Sequence, residues 1–462
     1  MAKKKEKTLE EKLQEALVPE NQWPYILPEN WCWTRLKNVA NWGSGGTPSR
    51  KHPEYYQGNI PWIKTGELKD DFIYDAEEHI SEEAISKSNA KLFPVNTVVL
   101  AMYGATIGKA GIMGCELATN QACACGVSNE SINYRFLFEY IKSQKDGFIA
   151  SGKGGAQPNI SQQIIKSYPI PLPPLPEQKR IVYRIESLFS KLDEAKEKIQ
   201  QVLDGAEMRK AAILHKAFTG ELTKTWRKEN GISEDSWEVK KLKDITTPKA
   251  GFAFNSKKFT SEGYQIIRMG NLYGGKLDLD RVPVFYAPEN IDEKIKKRAM
   301  LHDNDIVITL TGTKYKRDYG YAVLIKEPVN LFLNQRILAL SPIEKIVNPT
   351  FLLYSLRSKD FRDIFFSNET GGVNQGNVSS KFVENIKIKI PLLEEQREIV
   401  KVLNHQLEFV DDTTKICKDA YEQIDTMKKS ILAKAFRGEL GTNNPTEDSA
   451  LNLLKEVLQD KS

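Results

Sequence analysis

"IPLPPLPEQKRIV", from Ile170 to Val182, returns downstream as "IPLLEEQREIV", from Ile390 to Val400, so that Glu177 and Gln178 are matched by Glu395 and Gln396. A proline string alone would suit a small peptide-binding partner domain. Here both copies run straight into a charged helical pattern, and the second has lost most of its prolines. The stretch therefore reads as a strand-to-helix junction written twice. Self-similarity at long period fixes architecture ahead of any local assignment, and this one points to duplication of the whole chain.

The flanks agree. "NWCWTRLKNV" (30–39) parallels "SWEVKKLKDI" (236–245), and "IPWIKTGEL" (60–68) parallels "YQIIRMGNL" (264–272). "VNTVVLAMYGAT" (95–106) parallels "DNDIVITLTGT" (303–313), Asn120-Gln121 parallels Asn334-Gln335, and "GGAQPNIS" (154–161) parallels "GGVNQGNVS" (371–379). Last, "KAAILHKAFTGELT" (210–223) parallels "KKSILAKAFRGELG" (428–441). The offset drifts from 204 to 218 across the first part of the repeat and is constant from Gln157 onward. The globular parts tolerate insertions; the segment Glu177–Leu222 keeps its length, as a spacer must.

That spacer has helical periodicity. Ile181, Ile185, Leu188, Leu192, Ala195, Ile199, Val202, Ala206 and Ile213 follow three- and four-residue steps broken only at Arg209, the pattern of one helix packed along another. Ile399, Leu403, Val410, Cys417, Ala420, Ile424, Met427 and Ile431 form the matching stripe, interrupted at Gln406 and Thr413. At about 1.5 Å per residue, such a helix is a rod of roughly 60 Å. Gly205 is its weak point and a candidate bend. Short runs such as "NTVVLAM", "DIVITLT" and "YAVLIK" between Gly, Pro, Asn and Asp turns predict strands in both halves, with helices over 134–144 and 349–365. The expectation is α+β: two globular domains in a pseudo-twofold repeat, separated by two long antiparallel helices. Short charged helices at both termini, carrying Leu9, Leu13, Ala16 and Leu17 and then Leu451, Leu454, Val457 and Leu458, are expected to meet.

Charge is uneven. The chain carries a net +5, too little to announce a polyanion partner. From Trp237 to Pro391, however, 25 Lys and Arg face 17 Asp and Glu, against 14 and 13 from Trp31 to Pro176. One segment is thus locally basic, as a phosphate-facing surface would be. No apolar run approaches the roughly 18–20 residues of a membrane span. "MAKKKEKTLEEKLQEAL" lacks the apolar stretch of an export signal. With five cysteines, a reducing cytoplasm is the expected compartment.

Signatures of catalysis fail one by one. "GATIGKAG" (104–111) has three residues between its glycines where a phosphate loop has four, and no Ser or Thr follows Lys109. "GSGGTPS" (43–49) lacks the third glycine of a dinucleotide fingerprint. Cys115, Cys123 and Cys125 do not have zinc-site spacing, and Ile337 and Ala339 stand where the repeat aligns Cys123 and Cys125, which marks them as strand core. The five histidines are scattered, and "NPTF" at Asn348 lacks the second proline of an amino-methyltransferase loop. No catalytic or metal site is expected.

Two variable domains, each followed by a fixed-length helix that opens Pro-Leu-x-x-x-Glu-Gln-(Lys/Arg)-x-Ile-Val and closes Lys-Ala-Phe-x-Gly-Glu-Leu, resemble the specificity subunit of type I restriction-modification systems, and the opening "LPENW" (27–31) fits. The resemblance covers residues 20–441. It implies a DNA-binding protein of antiphage defence with one target recognition domain per half of a bipartite site. It also implies two methyltransferase (M) subunits and, through them, restriction (R) subunits as partners. S-adenosylmethionine, ATP and Mg are then expected on those partners, with no cofactor and no catalysis on this chain. The organisation would be an N-terminal charged helix (1–22), target recognition domain 1 (23–176), spacer helix 1 (177–222), a linker (223–236), target recognition domain 2 (237–394), spacer helix 2 (395–441) and a C-terminal helix (442–462).

Residues shared by the halves cannot distinguish two unlike half-sites, so sequence reading is expected where the halves differ. "TKYKRDYGY" (313–321) interleaves Lys314, Lys316 and Arg317 with Tyr315, Tyr319 and Tyr321. Such a loop can pair cations with phosphates or guanine edges and set aromatic faces against bases. Lys64, Tyr103 and Lys109 in the first half, and Arg268 in the second, occupy comparable loops. Phe218, Glu221, Phe436 and Glu439 are candidate contacts to the methyltransferase subunits; equally, the two phenylalanines could close the helix ends, with Gly220 and Gly438 as caps. A coiled-coil adaptor or scaffold without DNA readout remains the alternative.

Overall fold

The computed structural model describes residues 7–152, 159–314, 316–372 and 374–460. Gln157 and Tyr315 lie outside the described residues. The chain divides into two compact units, Met1–Ile199 joined by Ala420–Ser462, and Gln200–Asp419.

In the first unit the central sheet runs in the order Ala40–Ser44, Cys123–Ser128, Val98–Ala101, Ala110–Met113, Phe72–Ile73. Val98–Ala101 and Ala110–Met113 are buried at every position, which marks a sheet covered on both faces. Alternate residues go to opposite sides, as strand geometry dictates. Val98, Leu100, Ala110 and Ile112 join the larger core, which contains the helix Tyr134–Ser143. Val99, Ala101, Met113, Cys123 and Cys125 form a second core with Ile63 and Phe93, residues of a small sheet ordered Glu78–Ile80, Ile60–Ile63, Leu117–Thr119, Leu92–Phe93. Both cysteines are fully buried, and burial pushes the Cys125 thiol up to about 12, so they are core filling as the repeat implied.

The second unit has the same plan. Thr246–Ala250, Ile337–Pro342, Ile306–Thr309 and Ala322–Leu324 form its central sheet. Ile306, Ile308, Leu338 and Leu340 face the helix-side core. Val307, Val323, Ile337 and Ala339 face the other, where Phe285–Tyr286, Tyr264–Ile267 and Leu331–Leu333 are adjacent strands. The parallel pair Trp62↔Ala118 of the first unit is repeated as Ile266↔Phe332. Each unit closes with an antiparallel two-stranded ribbon, Cys32–Arg35 with Pro169–Leu172 and Glu238–Lys241 with Lys387–Ile390.

Those ribbons deliver the chain into the long helices. The first spans Leu175–Asp204 and resumes as Ala206–Phe218; the second is continuous from Leu393 to Phe436. Gly205 interrupts the first with helical dihedrals, φ −80° and ψ −8°, so the break is shallow. Within the first unit, Lys196 pairs with Asp425 at 2.9 Å and Lys428 with Asp193 at 2.5 Å. Three residues forward on one helix match three residues back on the other, which is an antiparallel register. In the second unit Lys210 reaches Asp411 at 2.5 Å, again one residue from each helix. The apolar stripes are covered as expected at Ile181, Ile185, Ile399, Leu403, Val410 and Ile424, whereas Met427 is 46% exposed.

Each core holds the start of one long helix and the end of the other. Ile181, Val182 and Ile185 share a core with Ala435 and Phe436; Ile399 and Leu403 share one with Ala217. The terminal helices Leu9–Ala16 and Ala450–Asp460 do meet, burying Leu13, Ala16, Ala450 and Leu454 in the first unit's core.

Candidate nucleic-acid interface

The repeated Glu-Gln is structural, and it explains the duplicated junction. Gln178 donates to the carbonyls of Ser131 and Pro173 and accepts from the Asn133 amide. Gln396 donates to Ile346 and Pro391 and accepts from Asn348. Asn133 and Asn348 are themselves N-caps of the helices that follow. One buried amide thus ties two helix starts together, satisfying backbone groups that would otherwise be orphaned. Glu177 and Glu395, both fully buried, accept the indole N–H of Trp31 (2.9 Å) and Trp237 (3.2 Å). The environments then diverge. Arg227, itself buried, pairs with Glu395, while among the described residues Glu177 has the Thr442 hydroxyl as its further direct partner.

The helix ends are similarly spent inward. Phe436 is 2% exposed and lies edge-on to Phe136 and Tyr140; Phe218 packs on Phe351. Gly438 and Gly220 follow with φ of +75° and +80°, the left-handed caps that only glycine adopts freely. Glu221 and Glu439 remain exposed. The phenylalanines close the helix ends on the cores, and the exposed surface there carries the two carboxylates beside Lys216, Lys434 and Arg437.

The loop carrying Lys314, Lys316 and Arg317 is a tight turn outside the sheet. Asp318 accepts the Thr313 amide at 2.7 Å, and Arg317 adopts φ +48°. Lys316 and Arg317 are exposed. Lys314 donates to the Gly371 carbonyl at 3.4 Å, and the Arg317 guanidinium lies over Phe366 and 3.7 Å from Asp363. Tyr319 corrects the sequence reading. It is 1% exposed, its hydroxyl donates to Glu369 at 2.7 Å, and burial holds that hydroxyl's pKa above its ordinary value. It anchors the loop from inside and offers no face to a base.

Arg268 is half-buried, donating to the Val282 carbonyl at 3.1 Å. It lines a cleft of about 520 Å³ with Arg281, Asn334, Gln335 and Arg336. Gln335 and Arg336 also line an adjoining cleft that includes Gly371, the residue bonded to Lys314. Sequence reasoning missed Arg281 and Arg336. The signal for Arg336 was present, because Ala122 occupies that position in the first half.

In the first unit, Lys64 reaches Glu78 at 2.9 Å and Glu77 at 3.8 Å, and the Glu78 hydrogen bond raises its pKa. Arg50 takes the other Glu78 oxygen at 2.6 Å and stacks over Tyr56. Tyr103 is 41% exposed and borders a separate cleft with Asn159, Ser161 and Gln163. Lys109 is half-buried at the edge of the central sheet. Lys64 in the first unit and Arg317 in the second are thus each paired with carboxylates. Among the described residues no group of His, Cys, Asp and Glu is arranged to hold a metal ion, and no helix is long and apolar enough to cross a membrane.

Known proteins carry the same organisation. A specificity subunit of the type I restriction enzyme MjaVIII from Methanocaldococcus jannaschii is 27% identical over 431 residues, 90% of this chain and 95% of that one. The EcoBI specificity subunit from Escherichia coli is 26% identical over 368 residues, 75% of this chain and 76% of that one. The crystal structure of an HsdS subunit from Thermoanaerobacter tengcongensis superposes with a TM-score of 0.66 at 20% identity, covering 91% of this chain and all of that one, which supports the fold. The family model described as type I restriction modification DNA specificity domain matches residues 28–204 and again 234–425. Those two matches span well over half of the sequence, and the chain belongs to that family.

Proposed function

We propose that this chain is the DNA sequence-specificity subunit of a type I restriction-modification complex. It reads a bipartite target with one unit per half-site, is itself non-catalytic, and docks two methyltransferase (M) subunits and, through them, restriction (R) subunits. The observation that carries the reading is the duplicated sheet plan with unlike surfaces. The two units repeat strand order and the Glu-Gln lock, yet one presents uncompensated arginines where the other presents a lysine engaged by carboxylates. Two similar frames with different chemistry suit two different half-sites.

Lys64, Tyr103, Lys109, Arg268, Lys314, Lys316 and Arg317 are the proposed DNA contacts, with Tyr319 as an internal support. Glu221 and Glu439 are the proposed partner-facing groups, positioned by Phe218 and Phe436. S-adenosylmethionine, ATP and Mg would be bound by the partner subunits, in the cytoplasm. The long helices, paired antiparallel within each unit, are the proposed ruler between half-sites. Mapping methylated adenines in the source genome tests the reading. A motif of two short specific parts with an unspecified gap is expected, and loss of that methylation on deleting this chain's gene. Methylation unchanged by the deletion would overturn it.

A further inference from the structure

The cleft under Arg336 is built for more than general charge attraction. Three arginines, Arg268, Arg281 and Arg336, line it, and no carboxylate does. The backbone at two of the three is braced by one side chain. Asn271 is 3% exposed; its amide oxygen accepts the backbone N–H of Arg268, and its amide nitrogen donates to the backbone carbonyl of Arg281, each at 2.9 Å. Arg281 also stacks over Tyr273 at 5.0 Å. Arg336 stands at the mouth of the strand Ile337–Pro342, its carbonyl fixed by the Leu310 amide at 3.0 Å. Arg336 is exposed and has no hydrogen-bond or ion-pair partner among the described residues. A guanidinium fork on a rigid support is the arrangement that reads a planar acceptor pair.

The first unit provides an internal comparison. Glu67 takes the place of Asn271, accepting the Lys64 amide at 2.9 Å with one oxygen and the Glu77 amide with the other. Ala122 takes the place of Arg336, and Gln121, aligned with Gln335, accepts from Thr47. The first unit thus has no guanidinium at the position of Arg336, and its Arg50 is engaged by Glu78.

Resting on the specificity-subunit reading, we propose that Arg336 recognises a guanine in the half-site of the second unit. It engages O6 and N7 in the major groove, while Arg268 and Arg281 hold flanking phosphates. Guanine is the base whose major-groove edge presents two adjacent acceptors, and an arginine fork satisfies both. Lysine retains the charge but offers a single point donor, so charge and readout can be separated.

The test is selection from a pool of duplexes carrying a randomised segment, using the full-length chain purified with its methyltransferase subunits, wild type against Arg336→Lys. Wild type should enrich a two-part motif. R336K should lose preference for one guanine in one part, binding the wild-type motif about 10- to 100-fold more weakly, with the other part and the salt dependence unchanged. Because Arg336 is exposed, the thermal midpoint should not move. An identical motif and affinity for R336K would overturn the proposal and leave the specificity reading standing. Loss of preference in both parts would also overturn it, since that marks a disturbance of the whole fold. A wild-type complex that enriches no sequence would overturn the specificity reading itself, and the proposal with it.

Discussion

Two buried carboxylates show how the same residue type is stabilised by different means, and each yields a prediction. Glu395 and Arg227 are 0% and 5% exposed and paired. Removing one member of a buried pair strands the other charge, at a cost of roughly 3–5 kcal/mol. Arg227→Ala should therefore destabilise the second unit by about that much in denaturant unfolding, and adding Glu395→Gln should restore a large part of it. A single variant within 1 kcal/mol of wild type would mean the pair contributes little. Glu139 is the opposite case. Burial raises its pKa, opposed by Lys142 and reinforced by Glu186 and Asp70, and one carboxylate oxygen has no hydrogen-bond partner. A carboxyl whose folded pKa is raised binds its proton more tightly when folded, so its contribution is full at low pH and is lost as pH rises through the folded value. Glu139→Gln, which does not titrate, should gain stability relative to wild type as pH rises from about 4 to about 8. A difference in melting temperature that stays flat with pH would refute the assignment. None of this was legible in the sequence. Glu177, Gln178, Glu395 and Gln396 stood out as a repeat, but their partners Trp31, Asn133, Trp237 and Arg227 are brought to them only by the fold. Tyr319 misled for the same reason: alternation of Lys and Tyr resembles a nucleic-acid loop until Glu369 and the core claim the aromatic ring.

At the scale of single elements, one glycine that interrupts the first long helix and one that follows the second separate capping from simple flexibility. Gly438 has φ +75°, and a Cβ there would lie 2.5 Å from the Pro28 ring. Gly438→Ala should cost more than the roughly 1–2 kcal/mol of a left-handed L-residue alone, because the ring cannot yield cheaply. Gly205 already has helical dihedrals, and a Cβ there would meet the far end of the flexible Arg209 side chain at 2.8 Å and the Gln201 carbonyl, one helical turn back, at 3.3 Å. Gly205→Ala should stabilise by about 0.5–1 kcal/mol, the entropy of a freer unfolded chain. Thermal melts of the two variants decide both points. Destabilisation by G205A would show that the break in the first long helix is a required hinge. The long helices were legible because three- and four-residue stepping runs unbroken from Ile181 to Ala206 in the first and recurs either side of Gln406 and Thr413 in the second. The strands were legible as a repeat but not as a sheet order. "VVLA" and "IVIT" look uniformly apolar, and only the two cores on either side of them explain why every position is buried.

For the molecule as a whole, the proposed ruler makes a geometric demand that can be met or failed. The second long helix has 44 residues, about 65 Å at 1.5 Å per residue. Each unit ties its own stretch of that helix to the first through charged pairs between neighbouring faces. Exposed pairs of this kind contribute about 0–1 kcal/mol apiece, so register is set mainly by the apolar stripes, which repeat every seven residues. Deleting seven residues between Lys196 and Lys210, together with seven between Asp411 and Asp425, should keep both stripes in phase. Each rod then loses about 10 Å. B-DNA advances about 34 Å per turn of roughly 10 base pairs, so the deletion corresponds to about three base pairs. Methylation mapping of the double-deletion protein should show both half-sites unchanged and the gap between them shortened by about that number. Removing the seven residues from one helix alone should leave the two rods unequal in length, so that their charged pairs can no longer form in both units, and abolish methylation instead. An unchanged gap in the double deletion would mean that the separation is set elsewhere, by the partner subunits or by bending of the DNA.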